Sequence, residues 1–173
     1  TAVTTKFRNC GQVCISPQRF YVHEKIFEEF SALVANYAAA LTVGNGLDSE
    51  TRLGPLINKT QQQHVLQIIE QAKEEKNNII TGGTAQHPGN FVLPTVIEVT
   101  NKQSEFIHKE IFGPVMPLIP FSTIEEVITL ANQTPYGLSA YIWTNNINHA
   151  IYLSEALEFG MVGINEWAPH ATE

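Results

Sequence analysis

A cysteine beside a glycine-containing turn is the side chain of this sequence best suited to covalent chemistry. The segment KFRNCGQVC, residues 6–14, places Cys14 shortly after Gly11, which lets the backbone turn tightly. A thiolate on such a turn can attack a carbon atom, and a neighbouring backbone N–H can receive the resulting oxyanion. By residue type alone, however, a lone cysteine is more often a small buried hydrophobe than a nucleophile.

A second cluster, KEIFGPV at residues 109–115, combines an acid and an aromatic ring on one short segment. The carboxylate of Glu110 could accept hydrogen bonds from both hydroxyls of a sugar diol, and Phe112 could pack on a flat ring. Taken alone, Glu110 would be a solvated or paired surface acid and Phe112 a core residue. Gln61, on the polar face of a predicted helix, is by itself simply solvated.

The two clusters together resemble the catalytic domain of the aldehyde dehydrogenases. The string F-x-N-x-G-Q-x-C is carried here by Phe7, Asn9, Gly11, Gln12 and Cys14, and EIFGPV follows it. The resemblance implies that Cys14 attacks an aldehyde and holds a thiohemiacetal. Loss of hydride to a nicotinamide then leaves a thioester, which water hydrolyses. It also implies that the backbone N–H of Cys14 forms half of the oxyanion hole.

The same resemblance implies contacts with a dinucleotide cofactor, NAD or NADP. It assigns Glu110 to the ribose, Phe112 to the nicotinamide ring and Gln61 to a position near the nicotinamide ribose. Residues that distinguish NAD from NADP belong to a domain that this sequence lacks, so the choice between the two stays open.

Arg8 is the residue that could define the substrate, since a guanidinium binds a carboxylate bidentately. The string KFRN resembles the succinate-semialdehyde dehydrogenase branch, in which this arginine binds the far carboxylate of the substrate. VGNGLD, GPLIN and GMVGINE extend that resemblance. His170 falls where the branch supplies another polar contact, but WAPHATE departs from the usual residues there. The alternative for Arg8 is an ordinary surface arginine.

Three functional alternatives accompany this interpretation. Coenzyme A, rather than water, could resolve the thioester in an acylating semialdehyde dehydrogenase. The chain could instead be a non-catalytic binding domain that associates with a full-length subunit. Cys10 could be a resolving thiol for Cys14, although a packing role is favoured.

Composition restricts the class of protein and its partners. The 173 residues are 43% hydrophobic, which predicts one globular domain over residues 1–173. The net charge of −7, without a basic run, argues against nucleic acid, and no apolar run is long enough to span a membrane. The two cysteines and scattered histidines lack metal-ligand spacing, so no metal is expected. We expect a cytoplasmic protein that binds a small-molecule aldehyde. The resemblance implies a homodimer or homotetramer at full length.

Strand-like and helix-like segments alternate along the chain. This order predicts an α/β fold: a three-layer domain with a mostly parallel sheet flanked by helices. One predicted helix has a stripe that includes Phe27, Val34 and Tyr37, and another begins at Asn58. Pro94 predicts an edge strand or a break within an extended segment at residues 91–99, and Ser122-Thr-Ile-Glu predicts a capping box.

The resemblance covers the whole sequence but not a whole enzyme. Family members also carry an upstream domain with the cofactor site, the general-base glutamate and an oxyanion-hole asparagine. They carry a further segment and an oligomerisation strand downstream. We therefore expect a truncated catalytic domain that has little or no dehydrogenase activity by itself.

Overall fold

The computed structural model describes residues 1–167, so His170 lies outside the described residues. The chain has the expected α/β class, with helices and a mostly parallel sheet. It divides into two compact units: Thr1–Pro120, and a second unit that begins at Phe121. Every residue of the two sequence motifs belongs to the first unit.

Five helices and eight strands form the described chain. The helices are α1 Ala2–Phe7, α2 Glu24–Ala39, α3 Lys59–Glu74, α4 Ile124–Asn132 and α5 Ile147–Ala156. The strands are β1 Phe20–His23, β2 Asn78–Thr81, β3 Ala85–Gln86, β4 Phe91–Val92, β5 Thr95–Glu98, β6 Val115–Phe121, β7 Ser139–Ile142 and β8 Met161–Ile164.

A four-stranded sheet in the order β1-β6-β5-β2 forms the centre of the first unit. Strands β5 and β6 are parallel, with Thr95 opposite Val115 and Glu98 opposite Leu118. The first five residues of β6 are all buried, as expected for a parallel strand covered on both faces. β2 joins β5 in antiparallel orientation. The predicted break at Pro94 separates β4 from β5.

Helices α2 and α3 contribute apolar faces to the core of the first unit. Val65, Ile69 and Ala72 of α3 are fully or almost fully buried, as the helical spacing predicts. The predicted stripe on α2 is wrong at Tyr37, which is 67% exposed. Val34 is buried as predicted, and the buried face of α2 ends at Ala38 rather than at Tyr37.

The start of α4 differs by one residue from the predicted capping box. The N-cap is Thr123 rather than Ser122, and its hydroxyl accepts a 3.2 Å hydrogen bond from the Glu126 backbone N–H. The Glu126 carboxylate accepts a 2.8 Å bond from the Ser122 N–H. Two adjacent hydroxyl residues and two adjacent acids allow either register, and the structure adopts the later one.

The second unit has its own short parallel sheet, in which β7 pairs with β8 from Ser139–Met161 to Ile142–Ile164. The side chain of Asn132 ties the end of α4 to the end of α5. Its amide donates to the Ala156 carbonyl at 2.9 Å and accepts from the Glu158 N–H at 3.1 Å. Within residues 1–167, no helix is long and apolar enough to cross a membrane.

Replacing the N-cap of α3 should weaken the helix that carries Gln61. Asn58 Oδ1 accepts a 2.8 Å hydrogen bond from the Gln61 N–H, so Asn58→Ala leaves that donor without its cap. We expect a loss of about 1 kcal/mol in the free energy of unfolding, measured by urea denaturation. Asn58→Asp keeps an acceptor and should stay near wild type. Equal losses in the two variants would contradict this role.

Candidate active site

Cys14 lies at the second position of a turn that exposes its side chain. The turn is closed by a 2.9 Å hydrogen bond from the Ser16 N–H to the Val13 carbonyl. Cys14 is exposed, whereas Cys10, four residues earlier, is buried, and neither forms a disulfide. The structure therefore presents one thiol to solvent and encloses the other.

Three successive left-handed residues shape the backbone before this turn. The φ angles are 48° at Asn9, 59° at Cys10 and 73° at Gly11. Asparagine and glycine adopt this region readily, but Cys10 does so at a cost of roughly 1 kcal/mol. Such a run persists only where surrounding contacts hold it, so the segment is constrained rather than relaxed.

Gln12 supplies contacts that hold the left-handed run. Its Nε2 donates to the Asn9 carbonyl at 3.2 Å, and the Asn9 side-chain amide donates to the Gln12 carbonyl at 3.0 Å. The Gln12 Oε1 accepts a 3.0 Å bond from the Ile57 N–H. The amide thus connects residues 8–16, here called the cysteine segment, to the loop that precedes α3.

Gly11 brings the two sequence motifs together. A Cβ atom at Gly11 would overlap the carbonyl oxygen of Gly113, so the two backbones touch at this point. Gly113 is equally confined, because its own Cβ would lie 2.5 Å from a methyl group of Val65. Residues 110–113, here called the 110–113 loop, therefore pack directly on the cysteine segment.

Gln61 reaches the 110–113 loop from α3. Its Nε2 donates to the carbonyls of Ile111 and Phe112, at 3.2 and 3.0 Å. Phe112 has a φ of 46°, a left-handed conformation that these two bonds help to hold. Glu110 is exposed and Phe112 half-buried. The loop thus presents a carboxylate and an aromatic ring close to the cysteine segment.

Two buried titratable groups, Lys6 and Cys10, lie next to and within the cysteine segment. Lys6 has no exposed surface, and burial lowers its pKa to about 7, although Cys10 and Glu110 oppose that shift. Burial also raises the pKa of Cys10 to about 12, with Lys6 acting against it. Near pH 8 both groups are therefore neutral, which avoids burying a charge.

The predicted site residues have different placements. Cys14, Gln61, Glu110 and Phe112 belong to segments in direct contact, and Arg8 is exposed at the end of α1. Among residues 1–167, no group of three or more His, Cys, Asp or Glu side chains could hold a metal ion. Sequence reasoning missed the connecting roles of Lys6, Gln12 and Gln18. No periodic signal could have revealed them, since their partners are set by packing.

Comparison with known proteins gives this geometry its context. The model of the aldehyde dehydrogenase family matches residues 1–173. The chain belongs to the aldehyde dehydrogenase family. A mitochondrial succinate-semialdehyde dehydrogenase of rice, Oryza sativa subsp. japonica, is 42% identical over 95% of this chain and 32% of its own length.

Solved aldehyde dehydrogenase structures superpose closely on this chain. Succinate-semialdehyde dehydrogenase from Burkholderia pseudomallei has a TM-score of 0.92 and 39% identity over 95% of this chain and 34% of its own. A Staphylococcus aureus betaine aldehyde dehydrogenase mutant, in complex with NAD+, has a TM-score of 0.93 and 29% identity over 98% of this chain and 35% of its own. The chain thus spans about a third of the length of these aldehyde dehydrogenases.

The buried lysine should make stability depend on pH in a defined direction. Unfolded Lys6 keeps its proton up to about pH 10.5, whereas the folded residue loses it above about pH 7. The unfolded state therefore binds more protons between these values, and stability rises with pH. From pH 7 to 9 the free energy of unfolding should rise on the order of 2 kcal/mol more than in Lys6→Met.

Urea denaturation at pH 7, 8 and 9 measures this difference. The window stops at pH 9 because ionisation of the unfolded Cys10 thiol acts in the opposite direction above that value. Lys73→Met, which removes an exposed lysine paired with Glu70, is the matched control and should retain the wild-type slope. Parallel curves for wild type and Lys6→Met would show that Lys6 does not titrate in this window.

The two cysteines should differ strongly in alkylation. At pH 8, iodoacetamide should modify Cys14, while Cys10 reacts at least about a hundredfold more slowly, because it is 2% exposed and its pKa is about 12. Mass spectrometry of the folded chain identifies the modified peptide, and Cys14→Ala and Cys10→Ala assign the signal. Comparable rates at the two thiols would contradict the structural distinction.

Proposed function

We propose that this chain is the catalytic domain of an NAD(P)-dependent aldehyde dehydrogenase that oxidises a carboxylate-bearing semialdehyde to the acid. The observation that carries the proposal is the exposed Cys14 on the cysteine segment, whose constrained residues 9–11 pack against the loop of Glu110 and Phe112. Membership of the aldehyde dehydrogenase family supports the reaction class. The similarity to succinate-semialdehyde dehydrogenases supports the substrate class.

Cys14 is the proposed nucleophile. Its thiolate sulfur adds to the aldehyde carbon, a C–S bond forms, and the carbonyl electron pair moves to the oxygen. The backbone N–H of Cys14 then donates to that oxyanion. The constraint at residues 9–11 favours this step, because a fixed turn holds the thiol and the N–H in one arrangement before the substrate arrives.

Glu110, Phe112 and Gln61 are the proposed residues on the cofactor side. Glu110 is exposed and can accept from both ribose hydroxyls, while the half-buried ring of Phe112 offers a flat apolar surface on the same loop. These residues fit the nicotinamide-ribose end of NAD or NADP. When bound there, the nicotinamide supplies the acceptor for the hydride that leaves the substrate carbon. Through its two bonds to the loop, Gln61 positions Phe112.

Arg8 is the proposed partner of the substrate carboxylate. Arg8 is exposed and lies six residues before Cys14, at the end of α1. A planar guanidinium provides two parallel donors for a carboxylate, which a plain aliphatic aldehyde cannot use. The side chain therefore favours a semialdehyde over an uncharged aldehyde of similar length.

The proposal extends to compartment and assembly. Both cysteines are free thiols, which suits a reducing compartment such as the cytoplasm. The rice relative is described as mitochondrial, so compartment differs within the family. We propose that the full-length protein forms a homodimer or homotetramer, which analytical ultracentrifugation measures directly.

Reduced-nucleotide formation by the full-length protein that contains this chain tests the function. Cys14→Ala should abolish activity with every aldehyde, because no other described thiol is exposed. Arg8→Ala should lower kcat/KM for succinate semialdehyde by roughly tenfold to a hundredfold, and leave uncharged aldehydes within about twofold. Residues 1–173 alone should show little or no activity.

Arg52→Ala is the matched control, since Arg52 is an exposed arginine whose guanidinium bonds only backbone carbonyls of Ser49 and Thr51 among the contacts described. Activity retained in Cys14→Ala would overturn the nucleophile assignment. Equal losses of Arg8→Ala on charged and uncharged aldehydes would overturn the carboxylate role. Addition of coenzyme A separates hydrolytic from acylating chemistry, because an acylating enzyme requires it for turnover.

A further inference from the structure

Lys6 is among the largest fully buried side chains of the described residues, and it lies next to the cysteine segment. A lysine is almost never buried completely unless its amine has partners. Its Nζ lies 3.5 Å from the Oε1 of Gln18, and Cys10 and Glu110 are close enough to act on its charge. The proposed reaction assigns no role at the substrate to the Lys6 amine. The burial of Lys6 therefore requires another explanation.

Lys6, Ser16 and Gln18 form a ring of hydrogen bonds that begins and ends on Lys6 and includes Ser16 of the cysteine segment. Lys6 Nζ donates to Gln18 Oε1, and Gln18 Nε2 donates to the Ser16 carbonyl at 3.1 Å. The Ser16 hydroxyl donates to the Lys6 carbonyl at 3.4 Å. The ring fixes the position of the Gln18 amide, whose donor and acceptor both have partners.

The same Gln18 oxygen also reaches the 110–113 loop. The backbone N–H of Ile111 donates to Gln18 Oε1 at 3.3 Å, so two donors from distant parts of the sequence converge on one acceptor. Ile111 lies between Glu110 and Phe112 and is itself 1% exposed. A buried N–H without an acceptor destabilises the folded state. The hydrogen bond to Gln18 therefore stabilises the observed position of the loop.

We propose that Lys6 and Gln18 are positioning residues that hold the 110–113 loop against the cysteine segment, and thereby place Glu110 and Phe112 for the nicotinamide end of the cofactor. This inference rests on the proposed function for its cofactor part. Gln18 bonds the inner edge of the loop through the Ile111 N–H, while Gln61 bonds its carbonyls. The loop is thus held at both its donor and its acceptor atoms.

Two measurements on the full-length protein test the inference. Hydrogen exchange of the peptide containing residues 109–113 should be at least about fivefold faster in Gln18→Leu, which removes the acceptor, and faster also in Lys6→Met. The Kd for NADH or NADPH, whichever wild type binds, should rise roughly tenfold in Gln18→Leu. Alkylation of Cys14 without cofactor should stay within about twofold of wild type.

Gln18→Glu is the conservative variant and Gln63→Leu the matched control. Gln18→Glu keeps an acceptor for Lys6 and Ile111, so its loop exchange and nucleotide Kd should return towards wild type. Gln63 is an exposed glutamine of α3, and its replacement should change neither readout. A purely structural role of Gln18 would lower the unfolding midpoint and change both motifs alike, without this difference between Kd and alkylation.

The outcomes separate the inference from the proposed function. If wild type binds nucleotide but oxidises no aldehyde, the function is wrong, while exchange and Kd still decide the inference. If wild type binds no nucleotide, the cofactor assignment is wrong, and unchanged loop exchange in Gln18→Leu would overturn the positioning role as well. Should Gln18→Leu fail to fold, Lys6→Met takes its place as the loosened variant, and its loop exchange should be faster than that of Gln18→Glu; equal exchange in the two would overturn the inference.

Discussion

The backbone contact between Gly11 and Gly113 is the constraint on which the candidate site depends. A side chain at Gly11 would occupy the space of the Gly113 carbonyl, and one at Gly113 would collide with Val65. The two motifs can therefore be in contact only as glycine against glycine. Because Cys14 follows one glycine and Phe112 precedes the other, this single contact brings the thiol segment and the proposed cofactor loop to the same place.

Neutral amide side chains stabilise the contact between the two motifs that the glycines allow. Gln12 bonds the cysteine segment to the Ile57 N–H, Gln18 bonds it to the Ile111 N–H, and Gln61 bonds the carbonyls of the 110–113 loop. Loops have backbone groups that no helix or sheet satisfies, and each needs a partner when buried. A glutamine side chain has one donor group and one acceptor and carries no charge. A charged side chain in the same place would lose more free energy by burial than its hydrogen bonds would contribute.

The two thiols, only four residues apart, differ in their exposure and electrostatic environment. Cys10 shares the interior with Lys6, and burial shifts the pKa of the thiol upward and that of the amine downward, so both stay neutral near pH 8. Cys14 lies outside this enclosure, exposed on its turn. This arrangement leaves one accessible thiol, the proposed nucleophile, next to an uncharged interior.

The sequence by itself determined the family, the α/β alternation and the start of a helix at Asn58, because each is a local pattern of residue types along the chain. Tertiary structure alone decided that Tyr37 faces solvent, and that Lys6 is buried. It also decided that Gln18 meets Ile111, a residue far along the sequence. The periodicity of apolar residues shows which face of a helix or strand is buried. The hydrogen-bond partner of a buried polar atom depends instead on which distant segment packs against it, and this contact exists only once the whole core has formed.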